Sequence, residues 1–517
     1  MRAVVLFVVV VLVACQATPD PSASPSAIVR PSATATAATS ATAKMPLGGT
    51  LRVALSGPSG SLDPHAADAN ALVVGQVFEG LVARGANGVT QALATKWIVA
   101  PDGITWTFTL RPGVVFHDGT PFDAAAAAKA LASGPHPGLK SASAGADPLT
   151  LTLVTDGPDG RLLSLLATPA FTIASPASAT SGTGPFRFTA AQRGPVGSEP
   201  LVLARNDRYW RADPAGQTLP YLDGLSFVSM PDPAARLAAI RGGTVDYVQD
   251  LALADIGTIR TDPSLQLVAR PQTTVLYLGL DLSLPPVDDL RVRQAIAQGV
   301  NTRGLVDRVY AGTATAASQL PPPAMLGYDD SLTEFAKYDT SAAKKLLADS
   351  GRQSVEVDLW YVQDGSVSTP DMRKVAEAVA ADLAAAGIVA SLRTIDPVTF
   401  AVNVRENRYP MWVGAAAASS FDPDELLGVS FIPPAVNGVD QPTEAGGWIN
   451  KETAGLLRKA RIEPDQSKRA ELYKQVSKIV QREIPRVPLT WSAPPAAATR
   501  KVVDPQAALL ADVALGR

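Results

Sequence analysis

The chain has 517 residues, of which 46% are hydrophobic and 18% charged, and its formal net charge is −3. This composition excludes a disordered chain and is typical of a globular protein with several folding units, while the lack of a basic excess argues against a nucleic-acid partner. Three histidines and one cysteine leave few side chains for a transition-metal site, so we expect neither a metal nor a cofactor.

The N-terminal residues carry an export pattern. Arg2 is the sole charge before an apolar run from Ala3 to Ala14, which is shorter than a membrane-spanning helix of about 20 residues. Leu12-Val13-Ala14-Cys15 resembles a bacterial lipobox, in which the cysteine is acylated and the peptide before it is removed. We predict a signal peptide over 1–14 and lipidation at Cys15. An ordinary secretory signal with a chance cysteine is the alternative.

A tether follows the predicted anchor. Residues 16–45 are mostly Ala, Ser, Thr and Pro without apolar periodicity, so we predict a disordered segment over 15–45. Coil statistics give such a segment a reach of roughly 30 Å. The protein is then extracytoplasmic, anchored to the cell membrane on the periplasmic side or at the cell surface. No intrachain disulfide can form, because Cys15 is the only cysteine.

Strands and helices are mixed throughout the rest of the chain. Alternation of apolar residues predicts strands over 50–55, 106–110 and 149–154, and further strands are predicted over 201–203, 225–228, 275–280, 389–393 and 487–491. Helical spacing predicts helices from Asn70 to Leu81 and over 233–241, 289–298, 341–349, 372–386, 454–461 and 467–482. This mixture indicates α/β or α+β units.

No catalytic pattern stands out. The chain has no nucleophile elbow, no P-loop and no zinc-binding helix motif. His117-Asp118 could be an acid–base pair, but the following Gly119-Thr120-Pro121 predicts a turn. Asp422 and Asp424 flank Pro423 and favour a turn and a helix cap over a Ca²⁺ site. We therefore expect that the protein is not an enzyme.

A series of short motifs occurs in a fixed order between Gly48 and Trp491. In chain order they include Leu62-Asp63-Pro64-His65, Phe78-Glu79-Gly80-Leu81, Phe116-His117-Asp118-Gly119-Thr120-Pro121, Gly182-Thr183-Gly184-Pro185-Phe186, Arg205-Asn206-Asp207-Arg208-Tyr209-Trp210 and Asp289-Leu290-Arg291-Val292-Arg293-Gln294-Ala295. In this order the chain resembles the family-five extracellular solute-binding proteins of ABC importers, which include dipeptide-, oligopeptide- and nickel-binding proteins. Each motif alone is weak, but their order over nearly the whole globular part is specific.

The resemblance implies an α/β, two-lobed periplasmic-binding-protein-like fold of type II, the large cluster C type. Lobe one would comprise residues 46–270 and 487–517 with an extra subdomain at about 67–174, and lobe two would comprise 271–486. Strands near Val275 and Leu489 would form the hinge. The implied function is that of a monomer that closes on a peptide or other small solute and delivers it to an ABC permease. A ligand sensor with the same fold and no transport role is the alternative.

The resemblance also implies which residues face the ligand. In peptide-binding relatives an aspartate three residues before an acidic-Pro pair holds the amino group of the peptide. Counting back from Asp422-Pro423, this position is Ser419, which has no charge, and the preceding residues 414–418 are small. The substitution favours a bulkier or less cationic solute. If the alignment slips by a residue or two, Asp422 or Asp424 becomes the anchor.

Further ligand contacts are implied at Asp68, Asn70, Gln249, Asp250 and Trp491. Asp68 and Asn70 follow the Leu62-Asp63-Pro64 motif, and Gln249 and Asp250 follow Val245-Asp246. For Asp68 a helix cap is the alternative role. Trp491 lies on the returning strand, where relatives place an aromatic residue, and core packing is its alternative.

Overall fold

The computed structural model describes residues 44–66, 69–85, 88–134, 136–189, 200–333, 337–363, 370–406, 408–433, 435–436, 439–440, 448–505 and 512–515. The predictions for Cys15, the signal peptide and tether residues 15–43 lie outside the described residues. No helix of the described segments is both long enough and apolar enough to cross a membrane.

Twenty-three strands are described. In chain order, β1 to β23 are Thr50–Leu55, Val82–Gly85, Gly88–Gln91, Ala94–Val99, Thr105–Leu110, Leu139–Ala144, Thr150–Thr155, Phe186–Phe188, Leu201–Arg205, Gly224–Ser229, Tyr247–Val248, Leu265–Val268, Thr274–Leu280, Thr315–Ala316, Val355–Val362, Ile388–Ile395, Met411–Ala417, Ala435–Val436, Val439–Asp440, Arg486–Ser492, Ala496–Thr499, Val502–Val503 and Ala514–Leu515.

The α-helices described, α1 to α13, are Ala71–Val77, Ala124–Ser133, Leu162–Leu166, Pro233–Arg241, Ile256–Thr261, Leu290–Gly299, Thr302–Tyr310, Thr340–Asp349, Met372–Ala385, Pro397–Arg405, Gly428–Phe431, Lys451–Ile462 and Gln466–Glu483. Most begin where an aspartate or asparagine side chain accepts a hydrogen bond from a backbone N–H of the first turn. Asp289 does so for α6 and Asp465 for α13. These caps satisfy N–H groups that have no partner within the helix.

The first large sheet has seven strands in the order β12-β21-β11-β1-β10-β9-β8. At its centre β1 runs parallel to both β10 and β11, whereas β9, β12 and β21 pair antiparallel to their neighbours. One face packs on α1 through Val73, Val74 and Val77. The other face packs on α4 and α5 through Ile240 and Ile259. Burial on both faces explains why β1 is nearly continuously apolar.

A smaller antiparallel sheet, β4-β5-β7-β6, lies within the segment between β1 and β8 of the first large sheet. Strand β7 alternates partly buried and fully buried residues, because one face of the sheet is covered more completely than the other. That face packs against α2 and α3, with Trp106, Phe108 and Leu131 in its core. This unit has its own hydrophobic core, separate from that of the seven-stranded sheet.

The second large sheet has six strands in the order β14-β20-β13-β17-β15-β16. Its central strand β13 is buried along its whole length and pairs antiparallel with β17 and β20. Strand β15 runs parallel to both β16 and β17. Helices α6, α8 and α9 cover one face through residues such as Val292, Leu347 and Val379, and α12 and α13 cover the other through Leu457 and Tyr473.

Two segments connect the two large sheets. Residues 269–273 lead from β12 to β13, and residues 493–495 lead back from β20 to β21. The predicted strands at 275–280 and 487–491 are confirmed by β13 and β20, and the helix predicted over 372–386 by α9. Because β13 and β20 pair side by side, the two connections lie next to each other.

One predicted helix is shorter than expected. Its spacing indicated a helix from Asn70 to Leu81, but α1 ends at Val77 and Phe78 is already extended. Glu79 instead forms a β-bridge with Ile173, and its buried carboxylate accepts hydrogen bonds from Thr183, Tyr209 and Trp210. Tertiary pairing of Glu79 therefore overrides the local helical pattern.

Candidate ligand-binding site

The carboxyl ends of parallel strands mark the candidate site in both large sheets. In the seven-stranded sheet β1 is followed by Ser56, and the parallel β11 is followed by Gln249 and Asp250. In the six-stranded sheet β17, parallel to β15, is followed by residues 418–425, here called the 418–425 turn. Ligand sites in α/β proteins form at such strand ends, because loops there can diverge to leave a crevice.

Backbone hydrogen bonds bring these strand ends towards the two connecting segments. Thr273 N–H donates to Ser492 O at 3.2 Å, and Ala418 N–H donates to Thr273 O at 3.0 Å. On the other side Leu251 N–H donates to Pro495 O at 2.7 Å. The connecting segments therefore lie between the Asp250 side and the 418–425 turn.

Asp250 is the centre of a polar cluster at the end of β11. Its carboxylate accepts hydrogen bonds from Ser56 Oγ at 2.7 Å and from Arg270 Nη1 at 3.3 Å, and its carbonyl accepts from Arg236 Nη2 at 2.9 Å. Its backbone is left-handed, with φ at 56°, a conformation that costs free energy for a residue other than glycine and concentrates at functional sites. Arg270 also donates to Pro494 O, which ties Asp250 to both connecting segments.

The other residues predicted on this side have different positions. Gln249 is partly exposed next to Asp250, and its backbone N–H donates to Ala54 O. Asn70 caps α1 by accepting from Leu72 N–H, while its amide donates to Pro58 O. Asp68 lies outside the described residues. Ligand contact by any of these residues stays a prediction.

Ser419 is exposed and faces a carboxylate that the sequence reasoning missed. Ser419 Oγ donates to the Glu425 carboxylate at 3.3 Å, and Ser420 N–H donates to it at 3.2 Å. The turn thus folds back, so that Glu425 lies against the position where peptide-binding relatives are expected to carry an aspartate. The only sequence signal was an acidic residue soon after the Asp422-Pro423 pair.

Arg84 on β2 reaches across to the same turn. Its Nη2 donates to the carbonyl oxygen of Ser419, and its guanidinium carbon lies 3.8 Å from the centre of the Phe421 ring. Burial lowers the pKa of Arg84 to about 10, and attraction to Glu425 offsets only part of this effect. No local motif marks Arg84, which the sequence analysis did not single out.

Asp422 and Asp424 are buried inside lobe two. Asp422 is 2% exposed, and both its oxygens accept hydrogen bonds at 2.7 Å from Arg469, which is fully buried. Asp424 pairs with Arg461 at 2.9 Å and with Arg161 at 3.4 Å. Burial raises the pKa of Asp424, and the two arginines offset only part of this effect.

The predicted turn and cap at Asp422 are confirmed, because Asp422 accepts a hydrogen bond from Asp424 N–H at the start of a 3₁₀ turn, Pro423–Glu425. The bidentate pair with Arg469 occupies both oxygens of Asp422 and leaves this side chain little capacity for a ligand. An anchoring role of Asp422 is therefore the weakest of the predictions for this turn.

Trp491, on β20, lies in the hydrophobic core of the six-stranded sheet. It is 3% exposed, its Nε1 donates to Gln319 O at 3.0 Å, and its ring meets Tyr328 edge to face at 5.8 Å between centroids. The core-packing role is thereby confirmed, and a ligand contact by the same side chain stays a prediction.

A second contact joins the small-sheet unit to lobe two. Gly160 N–H donates to Arg461 O at 2.6 Å, and Gln466 Nε2 donates back to Gly160 O at 3.2 Å. A Cβ atom at position 160 would lie 2.0 Å from the carbonyl oxygen of Glu463. Only glycine fits this approach.

The fold and the position of this site define the class of the protein. Two α/β lobes joined by two adjacent segments, with strand ends facing the junction, characterise the solute-binding proteins of ABC transporters. Residues 88–437 match the sequence model of the bacterial extracellular solute-binding proteins, family 5 Middle, and the chain belongs to this family. The predicted family and two-lobed fold are thereby confirmed.

Individual relatives agree with this assignment. The dipeptide-binding protein of Escherichia coli is 28% identical, over 79% of this chain and 82% of that protein. Heme-binding protein A of Haemophilus influenzae is 26% identical, over 87% of this chain and 86% of that protein. The solved structure of HbpA2 from Haemophilus parasuis has the same fold, with a TM-score of 0.77 at 24% identity. The match covers 91% of this chain and 100% of that structure.

Proposed function

We propose that this protein is the solute-binding lipoprotein of an ABC importer. It captures a peptide or another small solute between its two lobes and delivers the solute to a membrane permease. Cys15 carries the lipid anchor, residues 1–14 are the signal peptide, and residues 15–45 are the tether. Lobe one comprises 46–270 and 487–517 with a subdomain at about 67–174, and lobe two comprises 271–486.

One observation carries the proposal. Ser56 and Asp250 at the strand ends of one large sheet, and the 418–425 turn at the strand end of the other, lie on either side of two adjacent connecting segments. Because only two short segments connect the large sheets, bending within 269–273 and 493–495 can bring the lobes together without disturbing either hydrophobic core.

The bond from Arg270 to Asp250 favours these segments as the hinge. It anchors the start of the first segment to lobe one, and the bond from Arg270 to Pro494 O anchors the second. Motion is then confined to residues 271–273 of the first segment and to Ala493, before Pro494, in the second. A solute that contacts both lobes stabilises the closed form by its difference in affinity for the two forms.

Mass spectrometry of the solute that co-purifies with the full chain, extracted in detergent and then denatured, tests the proposal. We expect one solute class in near-stoichiometric amount, and a smaller radius of gyration in X-ray scattering when the solute is added back. Uptake of that solute by cells that lack the gene should fall and recover with the wild-type gene. A chain that binds no solute and keeps the same radius of gyration would contradict solute capture, and normal uptake would contradict delivery.

A further inference from the structure

Arg84 lies in the interface between the subdomain and lobe two and forms no direct ion pair with a carboxylate of the described residues, although Glu425 lies near enough to attract it. Its Nη2 donates to Ser419 O, its Nε is buried without a hydrogen-bond partner, and it makes no ion pair within the described segments. Its Nη1 makes no hydrogen bond to any described residue and is not among the fully buried polar atoms. One end of the guanidinium is therefore available to a ligand.

Three buried arginines are compensated more fully than the partly buried Arg84. Arg469 has a bidentate carboxylate, Asp422. Arg236 and Arg293 each donate to three backbone carbonyls. Arg84 has one carbonyl and one aromatic ring. A cation removed from water costs free energy unless it is paired, so the environment of Arg84 favours an additional negative group.

The position of Arg84 reverses the charge pattern expected in peptide-binding relatives. Those proteins are expected to present an aspartate at position 419 to a ligand ammonium group. Here position 419 is a serine whose carbonyl already accepts a hydrogen bond from a guanidinium. The nearby Glu425 is engaged by Ser419 and Ser420. A ligand ammonium group at this position would meet the like charge of Arg84.

Phe421 holds the guanidinium in place. Its backbone is left-handed, with φ at 60°, although it is a bulky aromatic residue. Such a conformation is unfavourable for a bulky residue and is retained where the surroundings require it. It places the ring against the guanidinium, where a cation–π contact is favourable.

We infer that Arg84 selects a solute that presents an anionic group, and no ammonium group, to the 418–425 turn. The inference rests on the proposed function and specifies its substrate class. A carboxylate of the solute accepts charge-assisted hydrogen bonds from the guanidinium of Arg84 while Phe421 stacks on its face. Arg84 is then a specificity-determining residue for the site.

Two matched probe sets test this inference by calorimetry on the full chain. Their scaffolds are a dipeptide and a heme, because two relatives are a dipeptide-binding and a heme-binding protein. The first set is the dipeptide Ala-Leu with a free or acetylated amino end and a free or amidated carboxyl end. The second is hemin and hemin dimethyl ester, which lacks both carboxylates. We expect at least one carboxylate probe to bind wild type about 10- to 100-fold more tightly than its neutral counterpart, and acetylation to strengthen binding of the dipeptide.

The variants Arg84→Met and Arg84→Lys separate recognition from structure. Arg84→Met should abolish the preference for the carboxylate probe over its neutral counterpart, while the affinity for the neutral probe stays within about threefold. Arg84→Lys should retain part of the preference, because lysine keeps the charge but not the planar fork. A structural role alone would weaken both probes equally and leave their ratio unchanged, which would overturn the inference.

The outcomes distinguish this inference from the proposed function. Preferential binding of probes with a free ammonium group would overturn the role of Arg84 and leave solute capture intact. Failure of every probe to bind would overturn the anion preference, and solute capture would then be judged from the co-purified solute. If that solute is cationic, the inference fails and the proposed function stands.

Discussion

Arg469 and Arg84 contact the same 418–425 turn in opposite ways. Arg469 is fully buried and holds both oxygens of Asp422 at 2.7 Å. Arg84 is partly exposed, comes from a different unit of the fold, and meets a carbonyl and an aromatic ring instead of a carboxylate. Two arginines that contact one turn can therefore have different roles, one in stability and the other in ligand recognition. The burial and the ion pairing of each arginine determine its role.

The largest expected effect is on stability, at Arg469. Arg469→Met should lower the free energy of unfolding by about 3–5 kcal/mol, because it leaves the Asp422 carboxylate buried without its partner. Urea unfolding of the full chain, followed by tryptophan fluorescence, measures this change.

Arg84→Met is the matched control for Arg469→Met, since both variants remove an arginine that contacts the 418–425 turn. We expect it to change the free energy of unfolding by less than about 1 kcal/mol, because no carboxylate loses a partner. Equal losses in the two variants would contradict the distinction between a structural and a ligand-facing arginine.

Gly160 tests the second contact with lobe two. Gly160→Ala should lower the free energy of unfolding by about 1–3 kcal/mol, because the new Cβ would lie 2.0 Å from the backbone oxygen of Glu463. Neither of the two segments can move apart without losing the hydrogen bonds between them. Gly157→Ala in the same loop is the control, since its Cβ would meet nothing within 4 Å. If thermal unfolding shows both variants to be as stable as wild type, the close packing of Gly160 against Glu463 does not contribute to stability.

His117 is a partly buried residue of lobe one whose contribution to stability depends on pH. Its Nε2 lies 2.9 Å from Gly184 O and its Nδ1 accepts from Gly182 N–H at 3.3 Å, an arrangement that suits the neutral ring. Burial lowers the pKa of His117 to about 4 from its ordinary 6.5. Between pH 6.5 and pH 4 the unfolded chain therefore binds a proton at His117 that the folded chain does not. The contribution of the neutral His117 to the free energy of unfolding is fully present above pH 6.5 and is lost as the pH falls towards 4.

We expect His117 to account for a loss of about 1–2 kcal/mol between pH 7 and pH 5. The difference between wild type and His117→Gln in the free energy of unfolding, measured at both pH values, isolates this contribution from that of the carboxylates. An identical pH dependence in the two proteins would show that His117 does not carry it.

The smallest expected effect is on ligand preference, at Ser419. Ser419→Asp alone should improve the affinity for the free-ammonium dipeptide by less than about threefold, because the new carboxylate can pair with the neighbouring Arg84. In the Arg84→Met background the same change should improve it about tenfold, which corresponds to about 1.4 kcal/mol. Equal gains in both backgrounds would show that Arg84 does not control the charge at this turn.

Local patterns predicted much of the fold. Strand β13 is a continuous apolar run and helix α9 is amphipathic, and each begins and ends within a residue of the prediction. Strand β17 was missed because Gly414 and the alanines after it have no strand-like alternation. Their small size has a tertiary cause, since a Cβ at position 414 would lie 2.6 Å from the ring of Tyr277 on the neighbouring strand.

The family, the two-lobed α/β class and the turn at Asp422 could be predicted from the sequence, because motifs, periodicity and caps depend on residues that are close along the chain. The partners of the charges at the site follow instead from tertiary packing. Asp422 pairs with Arg469 across 47 positions, and Arg84 meets Ser419 across 335 positions. Such contacts depend on how separate sheets pack together. The identity of a charged residue alone does not show whether packing will bury it with a partner or leave it exposed to the solute.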